Sequence, residues 1–291
     1  MTKLRTFLDM VRFEHTIFAL PFAYLGMMLA AHYPPTTGGV RFPTWHQFIW
    51  ITIAMAAART LAFAINRYAD RSYDARNPRT ADRPVPTGRL SPGATLAYGG
   101  VALAVLTIAA WQLNELTLKL LPGAIALLVV YSYTKRFTWL SHWVLGATDG
   151  LAPAGAWVAV RAAVDPPAWL LWLAVTFWIA GFDLIYACQD TEFDRKEGLH
   201  SVPARFGNAV ALRLAQVNHV LTVLALAAIG VMMALGWLYW LGLAAVAGLL
   251  VYEHSLVSPT DLSRVNLAFF NINGYIAIVI FVATLGGLYV G

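Results

Sequence analysis

The chain has 291 residues, of which 59% are hydrophobic and only 12% are charged, and its mean hydropathy is positive. Soluble domains carry about 25% charged residues, so this composition excludes an ordinary soluble domain and indicates an integral membrane protein. The formal net charge is +5, but the basic residues lack the aromatic-interleaved pattern of nucleic-acid binders. We therefore expect membrane lipid, and no nucleic acid, among its partners.

Nine apolar runs follow one another along the chain, separated by polar segments or by segments with Gly and Pro. A helix that crosses a bilayer needs about 20 mainly apolar residues, and the runs are of this order. They lie near residues 16–32, 46–67, 94–113, 117–133, 140–160, 168–188, 209–234, 237–253 and 265–290. The sequence predicts an all-α polytopic membrane protein with nine transmembrane helices in one bundle, forming a single domain over residues 1–291.

The basic residues between the runs are distributed unevenly. Of the 20 Lys and Arg residues, only Arg41, Lys119 and Arg161 lie between runs on one side of the predicted membrane, and Arg59 lies inside the second run. The others lie at the N-terminus and around the loops after the second, fourth, sixth and eighth runs. Because basic loops face the cytoplasm, we expect a multi-pass protein of the cytoplasmic membrane with a cytoplasmic N-terminus.

Two apolar runs end in similar polar motifs, "NRYADRSYD" after the second run and "YACQDTEFD" after the sixth. Each motif has polar residues at positions i, i+4 and i+8, which share one face of a continuous helix. They are Asn66, Asp70 and Asp74 in the first motif, and Tyr186, Asp190 and Asp194 in the second. Carboxylate and amide oxygens suit a hard cation such as Mg²⁺, which bridges protein carboxylates to substrate phosphates.

Basic residues surround both motifs, in loops broken by Pro and Gly. The candidates for anion binding include Arg59, Arg79, Arg83, Lys135, Arg136 and Arg205. Carboxylates for a metal beside guanidinium groups for phosphate indicate a diphosphate ligand. Ordinary loop charges that obey the topology rule would explain any one arginine. They explain the repeated motif and Arg59 poorly, because an ionisable group at membrane depth is costly.

The segments "NRYADRSYDARNPRTADRPVPTGRLS" and "DLIYACQDTEFDRKEGLHSVPARFG" resemble the two signature segments of the UbiA superfamily of intramembrane aromatic prenyltransferases. The resemblance covers essentially the whole chain. It implies Mg²⁺ as cofactor, with a polyprenyl diphosphate and a small aromatic acceptor as partners. It also implies diphosphate contacts for Arg59 and Lys135. By the same resemblance, the metal ligands are Asn66, Asp70, Asp74, Asp190 and Asp194.

The chemistry of prenyl transfer accounts for such a site. Metal ions and basic side chains stabilise the diphosphate as it leaves, and an electron-rich ring attacks the allylic cation before a base removes the ring proton. Asp183 lies one turn before Tyr186 and either acts on the acceptor or fixes the helix through a buried hydrogen bond. Asp149, midway along the fifth run, either contacts the acceptor or pairs with an arginine. The catalytic candidates are Asp70, Asp74, Asp183, Tyr186, Asp190 and Asp194.

The acceptor and two rival functions stay open at this point. The segment "APAGAW" resembles the branch that prenylates dihydroxynaphthoate in a menaquinone pathway, and para-hydroxybenzoate in ubiquinone biosynthesis is the other candidate. Prenylation of a different acceptor within the superfamily is a further alternative. A CDP-alcohol phosphotransferase would carry one continuous aspartate motif that this chain lacks. A transporter would place its site near the midplane on broken helices, whereas these motifs lie at one membrane face.

Other polar residues in the runs are predicted to have structural roles. Asn218, His219, Asn271 and Asn273 are expected to form hydrogen bonds between helices. Six histidines show no metal-ligand spacing, which argues against zinc; they are His15, His32, His46, His142, His200 and His254.

Overall fold

The computed structural model describes residues 16–35 and 41–290, with the side chains of the first helix described from residue 20 onward. Within these ranges the chain folds into helices and contains no strand. The long helices are α1 Thr16–His32, α2 Trp45–Ala69, α3 Pro92–Leu113, α4 Glu115–Val130, α5 Ser141–Arg161, α6 Pro166–Ala187, α7 Asn208–Met232, α8 Trp237–Ser255 and α9 Asn273–Tyr289. The N-terminal residues Lys3, Arg5 and Arg12, which contribute to the predicted orientation, lie outside the described residues.

Several helices have the length and composition of membrane spans. Six segments of the described chain qualify, namely Trp45–Ala69, Pro92–Leu113, Glu115–Arg136, Pro166–Lys196, Asn208–Met232 and Leu267–Tyr289, and the apolar part of α1 is shorter. The prediction of an all-α, multi-pass membrane protein is confirmed at this level. Nine spans and the cytoplasmic N-terminus stay predictions.

The bundle is built by pairwise packing of neighbouring helices. Helix α2 packs on α3, α5 packs on both α1 and α6, α7 packs on α6, and α9 packs on α8 and α1. Two close approaches depend on glycine, since a Cβ at Gly26 would collide with the Pro153 carbonyl and one at Gly146 with the Thr176 carbonyl. Small residues at such crossings let helix backbones approach closely, which is how helices associate in lipid.

Both motif helices break at their central aspartate. Helix α2 ends at Ala69, and Asp70 (φ −90°, ψ 3°) precedes a short helix, Arg71–Arg76. Helix α6 ends at Ala187 and leads through a 3₁₀ turn to Asp190 (φ −100°, ψ 8°), which precedes the short helix Thr191–Lys196. Both backbones occupy the sparsely populated bridge region, where many active-site residues are found. The expectation that each motif lies on one continuous helix is therefore wrong.

Three short elements bring further residues to the motif end of the bundle. A 3₁₀ segment, Tyr131–Arg136, follows α4. The short helix Val202–Phe206 precedes α7, and a π-helical segment, Leu267–Ile272, leads into α9. Such π segments often mark functional sites, and this one places Phe269 and Phe270 on the cavity described next.

Candidate active site

A cavity of about 1380 Å³ extends along α2 and is closed by residues from α3 to α6 and from the connecting segments. One part is apolar, with Ile51 and Met55 of α2, Leu106 of α3 and Leu121 of α4 in its wall. At about 1.5 Å per residue, Ile51 lies roughly 22 Å from Asn66 along the helix axis. The cavity therefore joins a long apolar channel to the polar motifs.

The first motif is organised by short-range hydrogen bonds. Asn66 Nδ2 donates to Asp70 Oδ2 over 2.9 Å, and Arg67 donates to Asn66 Oδ1 over 3.1 Å. Asp74 accepts a hydrogen bond of 2.7 Å from Arg83, its neighbour across the loop. Desolvation inside the cavity raises the pKa of the Asp70 carboxyl, and the nearby Asp74 charge raises it further, while Arg136 and Lys135 oppose this effect.

The second motif is held by the loop that follows the first. Arg79 Nε donates to Asp190 Oδ1 over 3.1 Å and its Nη2 donates to Asp190 Oδ2, which makes a bidentate pair. Asn77 donates to the same carboxylate over 3.2 Å, and Arg79 Nη1 donates to the Tyr186 hydroxyl over 3.2 Å. Residues more than 100 positions apart in the sequence thus build one site.

Each motif carboxylate has its own basic partner. The pairs are Asp70 with Arg136 at 3.5 Å, Asp74 with Arg83 at 2.7 Å, Asp190 with Arg79, and Asp194 with Lys135 at 3.6 Å. Lys135 and Arg136 are adjacent in the 3₁₀ segment, but Lys135 pairs with the second motif and Arg136 pairs with the first. Because every one of these eight side chains lines the cavity, the site alternates groups suited to a cation with groups suited to an anion.

The oxygen atoms fit a divalent metal that is shared with a phosphate ligand. Asp74 Oδ2 and Asp194 Oδ2 are buried and accept no hydrogen bond; the basic groups facing them, Arg67 and Lys135, stay 4.0 Å and 3.6 Å away. A buried carboxylate oxygen without a hydrogen bond is costly. Within residues 16–35 and 41–290, no three acidic, histidine or cysteine side chains form a closed metal cluster. Mg²⁺ does not require one, since it keeps several waters and binds through one or two carboxylates together with substrate phosphates.

Arg59 lies in a different part of the cavity from the other predicted anion-binding residues. It is two turns before Asn66 on α2, and it interacts electrostatically with Asp149 of α5 and with Tyr131. Its guanidinium group lies over the Phe63 ring at 4.8 Å, and its buried Nε has no hydrogen-bond partner. Arg59 lies about 10 Å before Asn66 along the α2 axis, and both Arg59 and Asp149 line the cavity.

Arg205 is the predicted site residue that the structure does not bring to the cavity. It lies exposed in the short helix Val202–Phe206, and its guanidinium group is 5.3 Å from the centre of the Phe206 ring. The other predicted site residues line the cavity: Arg59, Asn66, Asp70, Asp74, Arg79, Arg83, Lys135, Arg136, Asp183, Tyr186, Asp190 and Asp194.

Sequence reasoning missed three residues in or behind the site. Asn77 lies in the Pro-containing loop after the first motif, and its side chain donates a hydrogen bond to Asp190. Arg67 contacts Asn66 and lies 4.0 Å from Asp74. His142 lacks metal-ligand spacing, yet its Nδ1 lies 2.6 Å from Asp183 Oδ2. Its position at the start of an apolar run was the available signal, since buried ionisable residues in membrane helices are rare.

Comparison with known proteins identifies the family of this chain. A model of the UbiA prenyltransferase family matches residues 19–275. The chain belongs to the UbiA prenyltransferase family. The sequence-based recognition is therefore confirmed, and the protein is a prenyltransferase.

Several relatives of similar length share a name. The chain is 33% identical over 244 residues to the 4-hydroxybenzoate octaprenyltransferase of Aliivibrio fischeri, covering 83% of this chain and 84% of the relative. It is 34% identical over 245 residues to the enzyme of that name from Cupriavidus necator, with 83% and 84% covered. This UbiA-family chain thus matches them over most of both lengths.

Solved structures of the family have the same fold. The apo structure of a UbiA homologue from Aeropyrum pernix K1 superposes with a TM-score of 0.83 at 32% identity, covering 94% of this chain and 98% of that one. A UbiA homologue from Archaeoglobus fulgidus, bound to GPP and Mg²⁺, has a TM-score of 0.70 at 20% identity, covering 97% and 99%. The second likeness shows the fold alone.

Proposed function

We propose that this UbiA-family protein transfers a polyprenyl group from polyprenyl diphosphate to an aromatic hydroxy-acid in quinone biosynthesis, in a Mg²⁺-dependent reaction. The main support for this proposal is a single cavity that joins a long apolar channel to four carboxylates and their four basic partners. Para-hydroxybenzoate is the favoured acceptor, because the relatives are named for it. Dihydroxynaphthoate is the alternative to be tested beside it.

The residues divide between metal and diphosphate. Asn66, Asp70, Asp74, Asp190 and Asp194 would hold Mg²⁺. When bound, the metal supplies Lewis-acid stabilisation of the charge that develops on the diphosphate oxygens. Arg79, Arg83, Lys135 and Arg136 bind the same diphosphate, since guanidinium and ammonium groups donate charge-assisted hydrogen bonds to phosphate oxygens.

The reaction proceeds by exchange of one bond for another. The allylic C–O bond breaks and its electron pair leaves with the diphosphate, whose charge the basic side chains stabilise. The aromatic ring donates an electron pair to the allylic carbon and forms the C–C bond. The ring carbon then loses its proton to a base, for which we propose Asp183. The apolar wall keeps water from the allylic cation.

Arg59 and Asp149 mark the acceptor end of the site. Arg59 was predicted to contact diphosphate, but it lies two turns from the motif and is paired with none of the four motif carboxylates. An arginine that is buried beside the apolar channel suits the carboxylate of an aromatic acid, which it can bind in a bidentate manner. We propose this role for Arg59, with Asp149 setting its orientation.

We propose that the chain forms one UbiA-like domain in the cytoplasmic membrane, with nine spans and a cytoplasmic N-terminus. The basic loops after α2, α4 and α6 support this orientation, because they lie beside the motifs at the same end of the bundle. A cysteine introduced at Thr2 of a Cys188→Ala variant should be labelled by impermeant reagents only after the cell membrane is opened. Labelling of intact spheroplasts would contradict the orientation.

The function is tested with purified protein in detergent, Mg²⁺ and a polyprenyl diphosphate. Para-hydroxybenzoate and dihydroxynaphthoate are offered in parallel, with EDTA added to matched samples. We expect prenylated para-hydroxybenzoate that disappears with EDTA. Product from dihydroxynaphthoate alone would identify that compound as the acceptor. Product from neither compound would contradict the proposed acceptor class.

A further inference from the structure

His142 lies behind the active site and is completely shielded from it. It is in the first turn of α5, with a side chain that is 0% exposed, whereas the Asp183 side chain on α6 is 20% exposed. Asp183 lines the cavity and His142 does not. The imidazole therefore acts on the cavity only through the carboxylate that it contacts.

The two hydrogen bonds of His142 determine its tautomer. Val202 N–H donates to His142 Nε2 over 3.2 Å, so Nε2 accepts and carries no proton. An imidazole ring has a proton on at least one nitrogen, which must then be Nδ1. Nδ1 lies 2.6 Å from Asp183 Oδ2, so His142 donates and Asp183 accepts. The ring is neutral, and Oδ2 of Asp183 is unprotonated.

Asp183 is thus held differently from the four motif aspartates. Each of those has an Arg or Lys partner of the kind that binds diphosphate. The hydrogen-bond donor to Asp183 is a neutral imidazole, which fixes the orientation of the carboxylate without cancelling its charge. Lys135 interacts with Asp183 electrostatically, but their interaction is not a direct ion pair within 4.0 Å.

We propose that His142 is a positioning residue for Asp183 in prenyl transfer. It directs one carboxylate oxygen away from the cavity and leaves the other to take the acceptor proton. The Val202 N–H fixes the tautomer, so the segment after the second motif also sets the orientation of the base. Outer partners that orient an active group in this way commonly contribute strongly to activity. The inference rests on the proposed function, because it deepens the role of Asp183.

Two variants of His142 separate its two hydrogen bonds. His142→Asn places an amide donor near the position of Nδ1 and gives up the bond with Val202. His142→Gln places its amide near Nε2 and gives up the donor to Asp183. Loss of a hydrogen bond to a charged group costs about ten- to a hundredfold in rate. We expect this loss in kcat for His142→Gln, with an unchanged KM for polyprenyl diphosphate, and recovery of most of it in His142→Asn.

The opposite pattern would overturn the proposal. If His142→Asn were as slow as His142→Gln, or if both kept wild-type kcat, the hydrogen bond to Asp183 would have no positioning role. A second test combines His142→Gln with Asp183→Asn. If His142 acts through Asp183, the double variant is no slower than Asp183→Asn alone, because the coupled losses do not add. Additive losses would show that His142 acts elsewhere.

A spectroscopic measurement tests the geometry without any turnover. In wild-type protein with isotope-labelled histidine, the His142 signals are identified by their displacement in Asp183→Asn and their loss in His142→Asn. We expect a protonated Nδ1 and an unprotonated Nε2. A protonated Nε2 would overturn the proposal even if the enzyme is active. Absence of prenyl transfer by wild type would instead contradict the proposed function and leave this measurement decisive for the geometry.

Discussion

Two polar clusters in the same helical bundle differ in what surrounds their carboxylates. In the motif cluster, formed by Asp70, Asp74, Asp190, Asp194 and their basic partners, all carboxylates line the cavity. In the second, which we call the Glu253 cluster, Glu253 of α8 is 0% exposed and accepts a hydrogen bond of 2.8 Å from Asn273 of α9. It also includes His219 and His254, whose ring nitrogens are 2.9 Å apart.

The Glu253 cluster has a structural arrangement. Asn273 donates to Glu253 and also to the carbonyls of Ala268 and Phe269 in the π-helical segment. Phe269 in turn lies 4.2 Å from the Tyr186 ring, measured between ring centres. The cluster therefore fixes a wall of the site from outside. Ionisable residues inside this bundle therefore differ in role: those that line the cavity beside opposite charges form the candidate site, and those sealed between helices support the fold.

The largest expected effect is that of removing a motif carboxylate. Asp190→Ala deletes a proposed metal ligand and frees Arg79 and Asn77. We expect kcat to fall by about a hundred- to a thousandfold, as for loss of a central electrostatic group. Turnover is measured on protein shown by size-exclusion and melting to be folded. Substantial activity would refute the two-motif metal model, and the same holds for Asp70→Ala.

Removal of the metal distinguishes the clusters without changing the chain. EDTA should stop prenyl transfer, and excess Mg²⁺ should restore it. Because a ligand that binds the folded state raises Tm, Mg²⁺ with diphosphate should raise the Tm of wild type and of Glu253→Gln. The same addition should leave the Tm of Asp190→Ala unchanged. A Tm rise in Asp190→Ala would place the metal elsewhere.

A basic residue of the motif cluster should affect donor binding. Lys135 pairs with Asp194 at 3.6 Å and lines the cavity, so Lys135→Ala removes a charge-assisted contact to the diphosphate. We expect KM for polyprenyl diphosphate to rise about tenfold or more. The matched control is Lys119→Ala, which removes an exposed lysine paired with Glu115. If both variants raised KM equally, the effect would come from the general loss of a positive charge, and the proposed contact of Lys135 with the diphosphate would be wrong.

Substitutions at Glu253 should affect stability more than catalysis. Glu253→Gln keeps a carbonyl oxygen that can accept from Asn273, so we expect near wild-type activity. Glu253→Ala leaves buried polar groups unpaired, which costs about 1–3 kcal/mol. Thermal melting in detergent measures the difference between the two. If Glu253→Gln lost activity as strongly as Asp190→Ala, the separation of the clusters would be wrong.

The smallest effect is expected at Arg205. The sequence places it among the anion-binding residues, and the structure places it outside the cavity. Arg205→Ala should therefore change KM for the donor less than Arg83→Ala does, because Arg83 binds Asp74 within the site. A rise in KM equal to that of Arg83→Ala would restore the sequence-based prediction for Arg205.

Hydrogen bonds between helices were predicted well from residue type. Asn218 accepts from Trp143 of α5, and Asn273 bonds Glu253 of α8, as expected for amides in membrane helices. His219 meets His254 across α7 and α8. Asn271 lies exposed in the π-helical segment and differs from this expectation. Residue type predicts that such a group needs a partner, whereas the rotation of the helix decides whether it is buried.

The sequence by itself determined the helical membrane fold and most of the residues of the candidate site. In a bilayer the backbone must satisfy its own hydrogen bonds, and continuous apolar runs of membrane length do so as helices. The repeated aspartate motif with its arginines indicates a metal and a diphosphate, because carboxylate oxygens suit the metal and guanidinium groups suit the phosphates. Both conclusions depend on local composition and on spacings of a few residues.

Only the tertiary structure decided how these groups are arranged. The pairing of Arg79 with Asp190, 111 positions away, and of His142 with Asp183, 41 positions away, depends on how the helices pack. The same holds for the breaks at Asp70 and Asp190, for the depth of Arg59 and for the exclusion of Arg205. Local spacing fixes which residues share a helix face, but the distance between two helices and their relative rotation follow from the packing of the whole bundle.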